Sequence, residues 1–588
     1  MRVKEQMHHR FGTGRLVVVL ALAAAVLGAF KFELWSPWWI AAPSLAFVFV
    51  GNRMQKAEEE RSPLGRAVSY YERAVSRLEG DWAGKGESGS RFLDENHLYA
   101  NDLDLFGTGS LFELLSTART SVGEARLAEW LCRPAPGEVV RARQAAVEEL
   151  APRLDLREDL AVLGETARGG LHAEALAGWG DGPVVLAPTA FRLVAWVLSV
   201  VGAVAVCAFL TYMISTLGLL PLSEPTRSAL RIFFLVTSLG MLGVLRHFRA
   251  RTDRVLHDAE AASHELALLT GVLGRLETET FSAPRLTQLR AALNVEGLPP
   301  SRRMAQLNRL MDLVDSGHHQ LMRLIGPALL WDLHLAYALE DWRRKSGSHM
   351  RQWLDAVGEM EALSSLAGYR YENPGSVYPE LVEGPACFDG DALCHPLLGR
   401  DTAVPNEVRL GGPVQVMVVS GSNMSGKSTL LRTVGVNAVL AQAGAPVPAR
   451  GLRMSPLLVG ASIRIQDSLQ AGESRFYAEI LRLRQIVEAA AGDGTVLFLV
   501  DEVLHGTNSH DRRIGAEAIV RGLVQRGAMG LVTTHDLALS GIGGAAGVNV
   551  HFEDHLEDGR MRFDYRMRPG VVEKSNAIAL MRSVGLEV

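Results

Sequence analysis

Three features of this 588-residue chain predict an α-helical region joined to an α/β domain built around a phosphate-binding loop, with two transmembrane helical hairpins. A glycine-rich segment, Ser420–Gly435 (SGSNMSGKSTLLRTVG), follows the apolar run VQVMVV and opens a helix-like stretch. From about residue 369 onward, strand and helix signals alternate as in a domain with a largely parallel sheet. Upstream, apolar residues recur at three- and four-residue spacing, interrupted by two pairs of uncharged apolar runs with basic outer flanks.

Length argues for three or four units, and a hydrophobic content of 48% with 21% charged residues supports large buried cores. The apolar excess is local, concentrated in a few runs. A net charge of −5 carries no global signal for nucleic acid, so any DNA contact would need a local basic face. Cys132, Cys207, Cys387 and Cys394 form no CxxC pair, which argues against a disulfide scaffold or a zinc site and for thiols in a reducing compartment.

The elements follow in order. Residues 1–61 hold the first hairpin. Leu16–Phe30 is uncharged and follows Arg2, Lys4, Arg10 and Arg15; by length alone it could be a signal-peptide core. A second run, LWSPWWIAAPSLAFVFVG, follows after a short gap, then Arg53, Lys56, Arg61 and Arg66. Basic residues on both outer flanks read as a hairpin with both ends in the cytoplasm, and Trp35, Trp38 and Trp39 suit the external interface. Residues 62–188 are helix-like, with turns at Gly107, Gly109, Pro134 and Pro136. Residues 189–250 hold the second hairpin: Leu193–Leu222 is long enough to cross ~30 Å of hydrocarbon, while Ile232–Leu245 is shorter. Arg231 can snorkel outward, and Arg246, Arg249, Arg251 and Arg254 return the chain to a basic side. The competing reading is a pair of buried core helices. Residues 251–368 are again helical, and the pair His318–His319 has no neighbours at metal spacing. Near Gly368 the texture changes to proline, glycine and short β-prone runs, opening the last unit, 369–588.

The chemistry lies in that unit. Gly421–Ser428 (GSNMSGKS) fits G-x-x-x-x-G-K-[ST] between strand and helix. Gly421 and Gly426 allow backbone N–H groups close to phosphates, with Ser422, Asn423, Met424, Ser425 and Thr429 completing the loop and helix start. Lys427 supplies positive charge to the β/γ oxygens, and the Ser428 hydroxyl can join a Mg²⁺ shell. The buried run Val496–Val500 ends in Asp501–Glu502, where one carboxylate can hold Mg²⁺ and the next can orient the attacking water. A further strand, GLVTT, ends at His535, a neutral imidazole suited to sensing a γ-phosphate.

Together these segments resemble the ATPase domain of the MutS family of DNA mismatch-repair proteins. The similarity rests on SGSNMSGKSTLLRTVGVNAVLAQAGAPVPA, DSLQAGESRFYAEI, DEVLHGTNSHDRRIGAEAI, TTHDLAL and YRMRPGVVEKSNAIALMRSVGL, with HPLL at His395 and VPNEV at Val404 upstream. The run GSLFELLSTARTSVGEARLAEWLCRPAPGEVVRARQAAVEEL is similar to the start of the family's helical core or lever. The resemblance implies an ABC-type ATPase with ATP and Mg²⁺ as cofactors, acting as a homodimer. It also implies that Ser474 reaches the partner's γ-phosphate, with Glu479 on a matched position, while Lys427, Ser428, Asp501, Glu502 and His535 act on the chain's own nucleotide. Gly506, Thr507 and Asp511 match the family pattern as well. DNA binding and a role in repair are inherited expectations. The family's mismatch-reading and connector domains and its Phe-x-Glu wedge are expected to be missing, with a membrane hairpin in their place. The expectation is therefore a multi-pass protein of the inner or cytoplasmic membrane. Alternatives are a transporter half-molecule, against which the sequence lacks an LSGGQ-type signature, and a mechanical membrane module that does not act on DNA.

Overall fold

The computed structural model describes residues 64–588 except 165–172, 187–189, 218–219, 263–265, 294–297, 318–321, 323–324, 400, 423, 465–474, 558–559 and 573–588. The first predicted hairpin and His318–His319 lie outside the described residues.

The helical unit forms as the apolar spacing demands. Its inner elements are α1 (Ser121–Cys132), α2 (Gly137–Leu150), α3 (Ala190–Thr216), α4 (Glu224–Ala262), α5 (Trp331–Ser346) and α6 (Met350–Glu372). α1 starts where the Thr120 side chain accepts the Gly123 N–H, satisfying one orphan donor of the first turn. α6 runs through the centre, burying Trp353, Val357, Leu363 and Leu366 against α1 and α2. Helical texture fails between residues 81 and 110. Gly84, Gly89, Gly107 and Gly109 all take positive φ there, and the chain forms turns instead. Leu103, Leu105 and Phe106 of this segment are nevertheless buried in the core. None of the four cysteines forms a disulfide.

The second predicted hairpin is two long antiparallel-connected helices, α3 of 27 residues and α4 of 39. At the usual rise these are about 40 and 58 Å long. Phe191–Thr216 and Glu224–Glu260 are long and apolar enough to cross a bilayer, and only 22% and 6% of their most apolar stretches are buried. The root of α3 is fastened to the helical unit. Ser199 Oγ donates to Leu329 O at 2.8 Å, Trp196 packs on the His334 ring at 4.4 Å, and Gly202 lies so close that a Cβ would meet Ala328 O at 2.0 Å. Beyond that root the large side chains face outward; Val236 and Leu239 are 66% and 72% exposed. α4 does not stop at Leu245. It continues unbroken across residue 250, and its far end buries Phe248, Val255 and Ala259 in the helical core. α6 likewise runs past residue 368 to Glu372.

The α/β unit has two sheets. β1 (Glu380–Leu381), β2 (Cys387–Leu393), β3 (Asn406–Gly411) and β5 (Gly451–Met454) form a mixed sheet in the order β1-β5-β2-β3. β4 (Val416–Ser420), β6 (Leu458–Ser462), β7 (Val496–Val500), β8 (Met529–Thr534), β9 (Gly547–Glu557) and β10 (Arg560–Pro569) form the other, ordered β10-β9-β4-β8-β7-β6. All its pairings are parallel except the β9–β10 hairpin. β4, β7 and β8 are buried at every residue because both faces are covered. Met417, Val419, Leu497 and Leu499 pack with α7 (Lys427–Ala443) and the helical unit. Val416, Val418, Phe498 and Val500 pack with α8 (Arg475–Ala489) and α9 (Ser509–Gln525). The nucleotide motifs thus emerge together at the C-terminal ends of three adjacent strands.

Candidate nucleotide site

The loop after β4 needs its glycines. Gly421 and Gly426 have φ of 147° and 104°, and a Cβ on Gly421 would meet Ser425 Oγ at 2.8 Å and Phe552 O at 3.1 Å. Met424 also takes positive φ, and its side chain is 82% exposed. Asn423 lies outside the described residues. Lys427 is buried, and its ammonium donates to Gly421 O at 2.8 Å and Ser422 O at 2.9 Å. Burial lowers its pKa, opposed by the nearby charges of Glu502 and Asp501. The hydroxyls of Ser422 and Ser425 are buried without a hydrogen-bond partner among the described residues. Thr429 is exposed on the first turn of α7.

Asp501 is shared between two hydroxyls. Ser428 Oγ donates to its Oδ2 at 2.5 Å, and Thr533 Oγ1 donates to Oδ1. Thr533 also accepts the Glu502 N–H at 2.9 Å, so one threonine on β8 pins both acidic residues that follow β7. Glu502 and Leu504 adopt φ of 48° and 52°, unusual for residues with side chains, so the turn after β7 is a tight, strained one. Glu479 on α8 is buried and accepts the Leu504 N–H at 2.5 Å, while Gly506 fits closely over Phe476. His535 Nδ1 lies 3.5 Å from Glu502 Oε1, and His505 Nδ1 lies 3.8 Å from Oε2. The two imidazoles meet edge-to-face, 5.0 Å between centroids.

A cavity of about 620 Å³ opens beside the loop, lined by Lys427, Ser428, Asp501 and Glu502 at one end and by His395, Val404, Phe552 and Tyr565 at the other. His395 is kept neutral: burial, aided by the Arg432 charge, pushes its pKa down to about 4. Asn406 braces this end, donating to Tyr565 O at 3.0 Å and accepting the Met567 N–H at 2.7 Å.

The structure brings Gly421, Ser422, Met424, Ser425, Gly426, Lys427, Ser428, Thr429, Asp501, Glu502 and His535 to the ends of β4, β7 and β8. Ser474, like Asn423, falls outside the described residues. Thr533 and His505 were missed. Thr533 could have been read from its place two residues before His535, but His505 gives no signal until the turn after β7 folds it back onto Glu502.

A glycine loop with a buried lysine after β4, and paired carboxylates after β7 with β8 between the two strands, define a phosphate-loop nucleotide-binding domain. Residues 417–587 match the family model described as MutS domain V. An endonuclease MutS2 from Thermomicrobium roseum is 34% identical over 228 residues, covering 36% of this chain and 28% of that protein. DNA mismatch repair protein MutS 1 from Halobacterium salinarum is 33% identical over 295 residues, 48% of this chain and 33% of its own length. A Streptococcus pneumoniae DNA mismatch repair protein MutS is 31% identical over 200 residues, 33% and 23%. The C-terminal part of the chain is thus similar to the MutS domain V family, and the chain spans about a quarter to a third of the length of these relatives.

Proposed function

We propose that the chain is a Mg²⁺-dependent ATPase of the MutS type, a homodimer through its ATPase domains, whose nucleotide cycle drives a lever rooted in a cytoplasmic membrane. The observation that carries the reading is the arrangement of Ser428, Asp501, Thr533 and Glu502 at the mouth of the loop that holds Lys427. The residues fit the ligands they would take. The glycine cradle, the buried lysine and the two orphan serine hydroxyls suit phosphate oxygens, and Ser428 with Asp501 offers the hard oxygen donors that Mg²⁺ prefers. When bound there, the cation would neutralise phosphate charge developing in the transition state.

The chain's own residues perform the rest. Lys427 exchanges its two loop carbonyls for phosphate oxygens, a change that stabilises the bound anion. Glu502, held by Thr533 and the strained turn, orients and deprotonates the attacking water. His535 holds Glu502 in place from the end of β8. The adenine and ribose would occupy the end of the cavity between Val404 and Tyr565. Exposed Met424, Tyr477 and Ile514 flank the site and supply apolar surface for a second copy, in keeping with an expected trans contribution of Ser474.

Two connections support lever coupling. α7 runs about 25 Å from Lys427 to Gly444, where a buried Arg143 from α2 donates to Ala443 O at 3.5 Å and lies 3.8 Å over the Trp130 ring. Buried Asp102 accepts the N–H groups of Ile463 and Arg464, at the start of the segment leading to Ser474. Through α4 the same unit continues into the apolar hairpin, whose unburied face favours a membrane as its environment. That exposure also favours a second reading, in which the lever works on a membrane partner and not on DNA.

The test is purification in detergent and assay of phosphate release with and without homoduplex and mismatched DNA. Lys427→Ala should lower hydrolysis about a hundredfold or more; full activity in that variant would refute the site. Stimulation by mismatched DNA would support a repair-type role, and no binding at low salt would favour the membrane load. Extraction of the native protein by alkaline carbonate without detergent would refute membrane anchoring.

A further inference from the structure

His505 has no part in the chemistry above, yet the turn after β7 aims it at the same carboxylate as His535. Glu502, His505 and His535 each offer one ligand atom, and those atoms all lie within 4.8 Å of one another. His535 Nδ1 lies 3.5 Å from Glu502 Oε1 and His505 Nδ1 3.8 Å from Oε2, so the imidazoles address the two oxygens of one carboxylate at distances near the ligand–ligand spacing of about 3.3–3.5 Å around a tetrahedral zinc ion. Two imidazole nitrogens and one carboxylate oxygen form a donor set that Mg²⁺ avoids and borderline transition ions prefer. His505 and His535 are exposed enough for an ion to enter from solvent, with side chains 46% and 39% accessible. The trio is held from behind by Glu479 on Leu504 N–H and by Thr533 on Glu502 N–H, so small side-chain rotations suffice to close it.

We propose that Glu502, His505 and His535 form a second metal site, for Zn²⁺ or a similar transition ion, that switches off hydrolysis. Zn²⁺ takes three protein ligands and keeps one open position. While it holds Glu502, that carboxylate is withdrawn from orienting water, and His535 is held by the ion as well. Mg²⁺ at Ser428 and Asp501 is not displaced, so inhibition acts on turnover and not on nucleotide binding. The inhibitory half rests on the ATPase reading; the binding half does not.

The experiment uses the full chain in detergent, free of nucleotide, titrated with ZnCl₂ by calorimetry and with Co²⁺ by visible absorption. Wild type should bind one more equivalent of Zn²⁺ than His505→Ala and show Co²⁺ ligand-field bands that the variant lacks. In Mg²⁺–ATP assays at matched free Zn²⁺, wild-type turnover should fall at least about tenfold and that of His505→Ala less than about twofold. Equal stoichiometry and affinity in the two proteins, or no Co²⁺ bands in wild type, would overturn the site. Binding without inhibition would overturn the switch. If neither protein hydrolyses ATP, the ATPase reading fails while the two titrations still decide whether the site exists.

Discussion

Glu361 lies in the middle of α6, fully buried, and accepts hydrogen bonds from the N–H groups of Arg119 and Thr120 and from the Thr120 hydroxyl. It thereby anchors the N-terminus of α1, and Gly123 is required beside it because a Cβ would collide with its carboxylate. Burial raises its pKa from 4.5 to about 7, against the lowering effect of the Thr120 hydroxyl and the two N–H groups. The folded state thus holds this proton more tightly than the unfolded chain does. The associated stability is fully present below about pH 4.5 and is lost as pH rises through about 7. The whole linkage is worth about 3 kcal/mol, of which about 2.5 kcal/mol falls between about pH 5 and pH 8.5. Glu361→Gln keeps the shape and removes the titration. Urea unfolding of the detergent-solubilised protein, followed by far-ultraviolet circular dichroism across this range, should show wild type losing about 2.5 kcal/mol relative to the variant. Parallel pH profiles, or a wild type that gains stability with pH relative to the variant, would refute the assignment of burial as the dominant effect.

Ser428→Ala and Asp501→Asn should each lower phosphate release about a hundredfold, and the double variant should be little worse, because both groups serve one cation; additive losses would mean independent roles. Gly202→Ala should cost about 1–3 kcal/mol, since a backbone carbonyl 2.0 Å from the new Cβ cannot move aside as a side chain can. A lowered thermal midpoint of the solubilised protein checks it, and an unchanged midpoint would mean that α3 is not seated on Ala328. Gly435→Ala faces only the flexible ends of Leu103 and Leu499 at 2.6 and 2.7 Å, so its cost should be smaller than that of Gly202→Ala in the same assay.

Much of the nucleotide site could be read from the chain because its parts are local. A phosphate loop is one contiguous turn whose positive-φ glycines and lysine are dictated by the backbone's approach to an anion, so Gly421, Gly426 and Lys427 announce themselves. Asp501–Glu502 and His535 are likewise marked by the buried apolar runs that precede them. The helical texture upstream was legible from its spacing, but segment 81–110, expected to be helix-like with turns at Gly107 and Gly109, forms turns over most of its length. Gly84, Gly89, Gly107 and Gly109 turn the backbone there, and its buried leucines, Leu103 and Leu105, are two residues apart. The extent of α4 was hidden for the opposite reason: its polarity changes near residue 246, but the backbone has no cause to stop there.

The sequence by itself determined the class of the C-terminal domain, its phosphate loop and acidic strand end, and the presence of two long apolar segments in the middle of the chain. Only the tertiary structure decided which groups meet. Strand order β4-β8-β7 puts Thr533 between the two acidic residues, and a tight turn brings His505 to Glu502 beside His535. The docking of Arg143 and Asp102 joins the site to the helical unit. Apart from the approach of His505 to Glu502, three positions apart, these are contacts between residues tens to hundreds of positions apart. Local propensity carries no information about them; they follow from parallel strand pairing and from the burial of both sheet faces.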